Sequence, residues 1–182
     1  MGKRILLVVP RFNIGGAESY VLTIALALRK AGFIVFVASG GGMLVKRLEE
    51  VQIKHFFVPI RLNAKFAATL LKRIVKRYEI DIIHANSAAA GIAAVLVKKE
   101  ISVPVVYTAH GVFGHNQAEM TLNECDKIIC VSEFVRESAI SRGFNKDKLV
   151  TIYNGIDIDK CHPKKENNNI IRNKFNIPEA AF

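Results

Sequence analysis

The sequence predicts an α/β protein built on a doubly wound parallel sheet. Short apolar runs rich in β-branched residues alternate with longer amphipathic runs along the chain. The short runs lack polar alternation, which is typical of strands covered by helices on both faces. Repeated β-α-β units of this kind build a parallel sheet, because their crossovers are right-handed. With 182 residues, of which 51% are hydrophobic, the chain can bury one compact core of this Rossmann-like class.

Seven strands and six helices account for the alternation. The predicted strands, in chain order, are Ile5–Val9, Phe33–Ala38, His55–Val58, Ile80–His84, Val105–Thr108, Lys127–Val131 and Leu149–Tyr153. The predicted helices between them are Ala17–Lys30, Met43–Val51, Lys65–Tyr78, Ala88–Lys99, Ala118–Cys125 and Glu133–Arg142. Gly32 and Gly143 follow two of these helices as C-terminal stops. Ligands of such sheets bind outside the carboxyl ends of the strands, so we expect a site in the loops that follow the strands.

Composition and cysteine content bear on the binding partners and on the cellular compartment of the protein. The chain has 26 Lys and Arg against 16 Asp and Glu, a formal net charge of +10. That charge attracts phosphates, anionic lipids or nucleic acid without distinguishing among them. Cys125, Cys130 and Cys161 form no C-x-x-C pair, so we expect free buried thiols and a reducing compartment. The apolar run after Lys3 and Arg4 is too short for a signal-peptide core, which predicts a cytoplasmic protein.

The loop after the first predicted strand contains two adjacent glycines, Gly15 and Gly16, at the predicted start of a helix. Backbone N–H groups and the helix dipole can meet a phosphate there, and the glycines can equally serve only a tight turn. The sequence has no G-x-G-x-x-G or P-loop motif, and its second strand leads to Ser39 instead of an acidic residue. NAD and P-loop chemistry are therefore disfavoured. The run Ser39–Gly42 either lets a ligand or a neighbouring domain approach the backbone closely or is only a flexible loop.

Polar side chains follow the fourth and fifth predicted strands. Asn86 and Ser87 can hydrogen-bond a ligand, while Ser87 is also a good N-cap for the next helix. His84 lies within the strand, and we interpret it as a core histidine. His110, followed by Gly111, stands at the carboxyl end of the fifth strand, where an imidazole is well placed for catalysis.

Two further patterns resemble metal sites, and we reject both. His115 follows His110 closely, but no helical spacing or carboxylate completes a ligand set. Asp157-Ile158-Asp159 matches a D-x-D metal motif, yet it follows a turn and precedes a helical pattern, where an aspartate serves as an N-cap. We therefore expect neither a metal nor another cofactor.

The predicted helix Lys65–Tyr78 has an apolar half and a basic half. The apolar half is expected to pack on the sheet. Such basic faces are usually only solvated, although an anionic membrane surface would attract one by about 1 kcal/mol per charge. The basic half consists of Lys65, Lys72, Arg73, Lys76 and Arg77.

Five ordered motifs together resemble the N-terminal domain of family 4 retaining glycosyltransferases of the GT-B fold. The motifs are Gly15-Gly16-Ala17-Glu18, Asp81-Ile82-Ile83-His84, Thr108-Ala109-His110-Gly111, Val131-Ser132 and Tyr153-Asn154-Gly155-Ile156-Asp157. The resemblance covers nearly the whole chain. One departure is Asn86, where many members of the family have a second histidine.

The resemblance implies two Rossmann-like domains facing a cleft, of which this chain supplies the first. We expect residues 1–153 to form the acceptor-side domain. Residues 154–182 are expected to form a hinge, at Asn154 and Gly155, and the start of a donor-binding domain. No Glu is followed by another Glu eight positions later, the donor-domain signature of the family. We therefore expect the chain to be part of a longer protein and to be inactive alone.

The resemblance also implies a reaction and its partners. A sugar passes with retention from a nucleotide-sugar donor to a hydroxyl of a sugar or lipid-linked acceptor, in polysaccharide, lipopolysaccharide or glycolipid synthesis. An anionic membrane surface at the inner face of the membrane is a further implied partner, and nucleic acid is not. His110 is the implied catalytic residue, beside the transferring sugar. Substrate binding is implied for Gly15, Gly16, Asn86, Ser87 and Gly111.

Two other function classes stay open on the sequence. A sugar-nucleotide epimerase of the GT-B type also shows glycine-rich strand ends and a histidine. It would need acid/base carboxylates in these loops, for which Glu18 and Glu119 are available. A non-catalytic domain would bind an anionic polymer or a membrane through its basic faces without turnover.

Overall fold

The computed structural model describes residues 2–114, 116–156, 158 and 168–178. Seven strands form one sheet in which every neighbouring pair is parallel. The strands are β1 (Arg4–Val8), β2 (Ile34–Ser39), β3 (Lys54–Phe57), β4 (Ile82–Ala85), β5 (Val105–Ala109), β6 (Lys127–Cys130) and β7 (Leu149–Thr151). Their spatial order is β3-β2-β1-β4-β5-β6-β7. The order reverses between β1 and β4, so the predicted doubly wound sheet is confirmed, with its ligand crevice expected at that point.

The helices and the short 3-10 segments connect the strands. The α-helices are α1 (Gly16–Lys30), α2 (Val45–Glu50), α3 (Ala64–Tyr78), α4 (Ala88–Glu100), α5 (Glu133–Ser141) and α6 (Asn168–Phe175). Gln117–Glu124 and Lys146–Lys148 are 3-10 helices. The first of these replaces the helix predicted over Ala118–Cys125. Thr121 and Asn123 are weak α-helix formers, which is consistent with the tighter winding.

Helices cover both faces of the sheet. On one face, α1 and α2 bury Val21, Ala25 and Leu48 against β1 and β2. On the other face, α3 and α4 bury residues such as Leu71 and Val95 against the central strands. Both faces of the inner strands are thus apolar, which explains why the strand runs show no polar alternation.

Helix α4 is the most apolar of the helices that pack on the sheet. Its buried residues are Ala90, Gly91, Ala93, Ala94, Val95 and Val97. Gly91 leaves room for Leu122 and Tyr107, because a Cβ at this position would collide with the Leu122 side chain. Even so, no helix in the described part of the chain is long and apolar enough to cross a bilayer.

Strand ends differ from the predicted ends by one or two residues. β4 begins at Ile82 instead of Ile80, because Ile80 donates its N–H to Val75 at the end of α3. The adjoining Asp81 accepts the N–H of Arg4 at 2.7 Å. At the far edge, β7 ends at Thr151, which is paired with the last residue of β6. The ends are therefore fixed by contacts between elements that lie far apart in sequence.

The two described cysteines, Cys125 and Cys130, are free and buried, as predicted. Burial raises the pKa of the Cys125 thiol to about 12 and also raises that of Cys130. Both thiols are therefore protonated and poorly reactive at neutral pH. Cys161 lies outside the described residues.

Candidate functional site

The first loop leads from β1 into the glycine pair and helix α1. Gly15 is the N-cap of α1, and no side chain accepts a hydrogen bond from the first turn. By contrast, the side chains of Asn63, Ser87 and Ser132 cap α3, α4 and α5. The first turn of α1 therefore presents uncapped N–H groups at the carboxyl edge of the sheet, where an anion is favoured. A Cβ at Gly16 would meet no atom within 4 Å, so the surface there is open.

The second loop packs on the first. Gly40 donates its N–H to the Pro10 carbonyl at 3.0 Å, and Phe12 donates to the Gly41 carbonyl at 2.8 Å. Asn13 accepts the N–H of Met43 through its side-chain oxygen at 3.0 Å. The structure thus packs the chain's own first loop on Ser39–Gly42, where the sequence suggested the approach of a ligand or a neighbouring domain.

The backbone conformation of Gly42 shows why this loop requires a glycine. Its φ is +149°, and a Cβ there would collide with the backbone of Phe12. Below the loop, the hydroxyl of Ser39 is hydrogen-bonded to His55 Nε2 at 2.8 Å and accepts the Gly41 N–H at 3.1 Å. The glycine run is therefore held by contacts on both sides.

His84 lies under the site as a buried structural residue. Its Nε2 is 2.7 Å from the Thr108 hydroxyl, which joins β4 to β5. Burial, together with the smaller influence of the nearby His110, lowers the pKa of His84 to about 4. His84 is therefore neutral near pH 7, and its interpretation as a core histidine is confirmed.

Asn86 is buried directly after β4, with 1% of its surface exposed. Its amide nitrogen donates to the His84 carbonyl at 2.9 Å. Its Oδ1 is buried and has no hydrogen-bond partner in the protein. A buried carbonyl oxygen without a donor costs about 1–3 kcal/mol, which a bound donor group would recover.

His110 follows β5 and is half-buried against Tyr20 of α1. The two rings meet edge to face with centroids 4.7 Å apart and planes at 77°. Burial lowers the pKa of His110, against the opposing influence of Glu18. Its Nε2 is enclosed and has no hydrogen-bond partner in the protein. Tyr20 thus links α1 to the histidine that follows β5.

One cavity of about 250 Å³ brings most of the predicted site together. Its lining includes Asn86, Ser87, His110 and Gly111, and Ala17 from the first turn of α1 adjoins them. Ser87 also accepts the Ala90 N–H at 3.1 Å, so its predicted role as a helix cap is confirmed. Asparagine amide, imidazole and hydroxyl groups in one small cavity suit a ligand with many hydroxyl groups.

The glycines and the hinge residues lie apart from this cavity. Gly16, Asn154 and Gly155 line a neighbouring groove of about 610 Å³ along α1. Gly15 lines neither space. Thr108 lines the cavity and Tyr20 lines the groove, and neither was predicted as a site residue. Glu119, considered on the sequence only as an acid/base carboxylate of an epimerase, also lines the cavity. Tyr20 is four residues after Gly16, so helical spacing from the glycine pair was the signal for its position.

Parts of the two patterns that were rejected as metal sites lie outside the described residues. These parts are His115, Asp157 and Asp159, so the structure tests neither that rejection nor the expected N-cap role of an aspartate there. Among the residues that are described, no group of three or more His, Cys, Asp or Glu side chains is arranged to hold a metal ion.

Comparisons with known proteins agree on one family. The sequence model of Glycosyltransferase Family 4 matches residues 14–160. The chain is 26% identical to alpha-monoglucosyldiacylglycerol synthase of Streptococcus pneumoniae, over 92% of this chain and 44% of that protein. It is also 26% identical to the O-antigen biosynthesis glycosyltransferase WbnH of Escherichia coli, over 90% of this chain and 52% of that one.

A solved structure supports the same fold. Anabaena Alr3699/HepE in complex with UDP-glucose is similar with a TM-score of 0.77 and 20% sequence identity, over 95% of this chain and 50% of that one. The chain thus spans about half the length of the curated relatives that it matches.

Proposed function

The chain belongs to glycosyltransferase family 4 and has the fold of an N-terminal GT-B domain, and from this premise we propose its reaction. It supplies the acceptor side of an enzyme that transfers a sugar, with retention, from a nucleotide-sugar to an acceptor hydroxyl. The relatives named for glycolipid and O-antigen synthesis support a sugar or lipid-linked acceptor.

The observation that carries this proposal is the cavity beside His110. Asn86 Oδ1 and His110 Nε2 are enclosed there without protein partners. A sugar offers hydroxyl groups that donate to the amide oxygen and exchange hydrogen bonds with a neutral imidazole. Buried polar atoms that gain partners only from the ligand favour that ligand over an apolar molecule of the same size.

The uncapped start of α1 supplies the electrostatic part of the mechanism. As the nucleoside diphosphate leaves, negative charge accumulates on its phosphates while the anomeric carbon becomes cation-like. The Gly15 N-cap leaves the N–H groups of the first turn of α1 without a side-chain cap, and we assign them to the phosphates of the donor. Each charge-assisted hydrogen bond would stabilise the leaving group by about 1.5–3 kcal/mol. The UDP-glucose bound by Alr3699/HepE supports a uridine diphosphate donor for this chain.

His110 is assigned the role of contacting the transferring sugar. Its lowered pKa keeps it neutral near pH 7, so it can hydrogen-bond a hydroxyl without adding charge to the cation-like centre. Glu119 is the one carboxylate lining the cavity, and its Oε2 accepts the Gly114 N–H at 2.8 Å. It is thus engaged in holding a loop, and we assign no covalent nucleophile.

The same geometry favours transfer over the two other classes. An epimerase needs free acid/base carboxylates at the sugar, whereas Glu119 is tied to the loop backbone and Glu18 lies against Gly15. A non-catalytic domain gives no reason for the buried atoms of Asn86 and His110 to lack partners. The family match supports the transferase as well.

Transfer assays on the intact protein test the proposal. We expect transfer of labelled sugar from UDP-sugars to membrane-derived acceptors, with retained anomeric configuration by NMR. For the chain of 182 residues alone we expect no transfer and at most millimolar donor affinity. The proposed hinge at Asn154 and Gly155 would then join this domain to the donor domain. Micromolar donor binding or transfer by the 182-residue chain would show that the donor was assigned to the wrong domain.

A further inference from the structure

We propose that the cavity beside His110 admits an uncharged acceptor sugar and rejects an acidic one. Asn86 and Glu119 determine this specificity, because both present oxygen atoms that accept hydrogen bonds and repel an anion. The inference deepens the proposed function, and it rests on that function for the role of the bound sugar as the acceptor.

The orientation of the Asn86 amide is fixed by the backbone next to it. Its nitrogen donates to the His84 carbonyl at 2.9 Å, which identifies the nitrogen end of the amide. The other end, Oδ1, is buried and has no partner in the protein. Since an amide oxygen can only accept, the ligand group that meets it must donate. A hydroxyl or an amide N–H can do so, whereas an ionised carboxylate cannot.

The lining of the cavity has a charge opposite to that of the chain as a whole. The chain has a formal net charge of +10, yet none of the described residues that line the cavity is Lys or Arg. Among these lining residues, Glu119 is the one with a formal charge. His110 adds no positive charge near pH 7, because burial lowers its pKa. The described lining therefore carries a net negative charge.

The Glu119 carboxylate acts on the cavity from a fixed position. Its Oε2 accepts the Gly114 N–H at 2.8 Å, which holds the side chain beside the loop after β5. Burial, together with the smaller influence of the Glu119 charge, raises the pKa of Tyr107, another lining residue. The charge of Glu119 is thus felt at the cavity wall. An anion that entered the cavity would meet the same unfavourable potential, since a protein interior screens charge weakly.

Rejection of an acidic sugar follows from these two residues together. An anion loses favourable contacts with water when it enters a small cavity, and no lining Lys or Arg compensates for that loss. It would also lie against the Asn86 oxygen and the Glu119 carboxylate. A hydroxyl of an uncharged sugar instead gives Asn86 Oδ1 the donor that it lacks. The site therefore discriminates through unfavourable contacts with the wrong ligand as well as favourable contacts with the right one.

The group that attracts anions at this edge is assigned to another ligand. The first turn of α1 has no side-chain cap, whereas Ser87 caps α4 by accepting the Ala90 N–H at 3.1 Å. The proposed function assigns the free N–H groups of α1 to the donor diphosphate. With that diphosphate bound, its negative charge would add to the repulsion of an acidic acceptor. The two parts of the site thus take ligands of different charge.

Binding of two matched sugars tests the inference without turnover. Methyl β-D-glucuronide has a carboxylate where methyl β-D-glucoside has a hydroxymethyl group. Each is titrated into the intact protein with saturating UDP, and NMR of the Asn86 side-chain amide gives its Kd. We expect the glucuronide to bind at least roughly tenfold more weakly than the glucoside.

Two variants and a matched control assign this preference to the cavity. Glu119→Gln removes the charge but keeps an oxygen for the Gly114 N–H, and it is expected to reduce the preference by roughly fivefold. Asn86→His introduces an N–H donor and is expected to reduce the preference as well. Asp147→Asn removes the same charge at the amino edge of the sheet, before β7, and is expected to leave the preference unchanged.

Transfer assays on the intact protein separate selection from structural damage. For acceptors that differ only in this carboxylate, we expect the discrimination in KM more than in kcat, because the repulsion acts on binding. A purely structural effect of Glu119→Gln would lower the turnover of both acceptors by the same factor and leave their ratio unchanged.

Equal affinity of the two methyl glycosides for the wild type would overturn the inference and leave the proposed function standing. So would a preference that neither Glu119→Gln nor Asn86→His changes, or that Asp147→Asn changes to the same extent. Failure of both sugars to bind would contradict the proposed acceptor site and the inference with it. Preferential binding of the glucoside by an intact protein that transfers no sugar would contradict the proposed function and leave the specificity of the cavity standing.

Discussion

Buried His84 makes the stability of this domain depend on pH. The folded state holds the pKa of His84 at about 4, whereas an unfolded chain has a value near 6.5. Below pH 6.5 the unfolded state binds the proton more readily than the folded state does. Stability is thus fully present above pH 6.5, falls as the pH drops through this window, and stops changing below about pH 4.

The size of the effect follows from the two pKa values. At 1.36 kcal/mol per pKa unit, the whole difference corresponds to about 3 kcal/mol, of which about 2 kcal/mol is lost by pH 5. This loss is a large part of the stability of an ordinary domain. Burial also lowers the pKa of His55 and His110, so they add loss in the same direction.

Comparison with His84→Gln isolates the contribution of His84. Glutamine keeps a hydrogen-bonding group near Thr108 but does not titrate. Urea unfolding, followed by circular dichroism near pH 7.5 and near pH 5, gives the free energy of unfolding of each protein. We expect the wild type to lose about 2 kcal/mol more than His84→Gln between these conditions. Equal losses in the two proteins would refute the reasoning, because His55 and His110 are present in both.

Three further variants test the site and its support. His110→Ala in the intact protein is expected to lower kcat about 10²- to 10³-fold without changing Tm, and wild-type turnover would remove His110 from the reaction. Tyr20→Leu is expected to lower kcat by roughly tenfold or more, because it releases the His110 ring, whereas Tyr20→Phe keeps the ring contact and most of the activity. Gly42→Ala is expected to destabilise the fold by about 1–3 kcal/mol in urea unfolding, while Gly16→Ala, which meets no neighbouring atom, causes no comparable loss.

The sequence predicted the scaffold well because hydrophobic periodicity is a local signal. All seven strands and the doubly wound class are confirmed. Ser87 as a helix cap and His84 as a core histidine were also predictable, because each depends on neighbouring residues. The general rule that ligands bind at the carboxyl edge of a parallel sheet also located the candidate cavity. Its lining includes Asn86, Ser87, His110 and Gly111.

What could not be predicted depends on contacts between distant segments. Tyr20 reaches His110 only because α1 and the residue after β5, which are far apart in sequence, meet at the site. The early end of β7 likewise depends on its pairing with β6. Lys72 was counted with the basic face of its helix, but Glu100 pairs with it from α4. Local patterns do not contain these partners.

The bonded pair of loops after β1 and β2 limits how this domain can be re-engineered. Because Gly40 and Gly41 are hydrogen-bonded to Pro10 and Phe12, neither loop has a stable shape without the other. A chimera that takes only one of them from a relative would combine mismatched halves. Exchange of substrate preference between relatives should therefore transplant residues 10–16 and 39–44 together as one module.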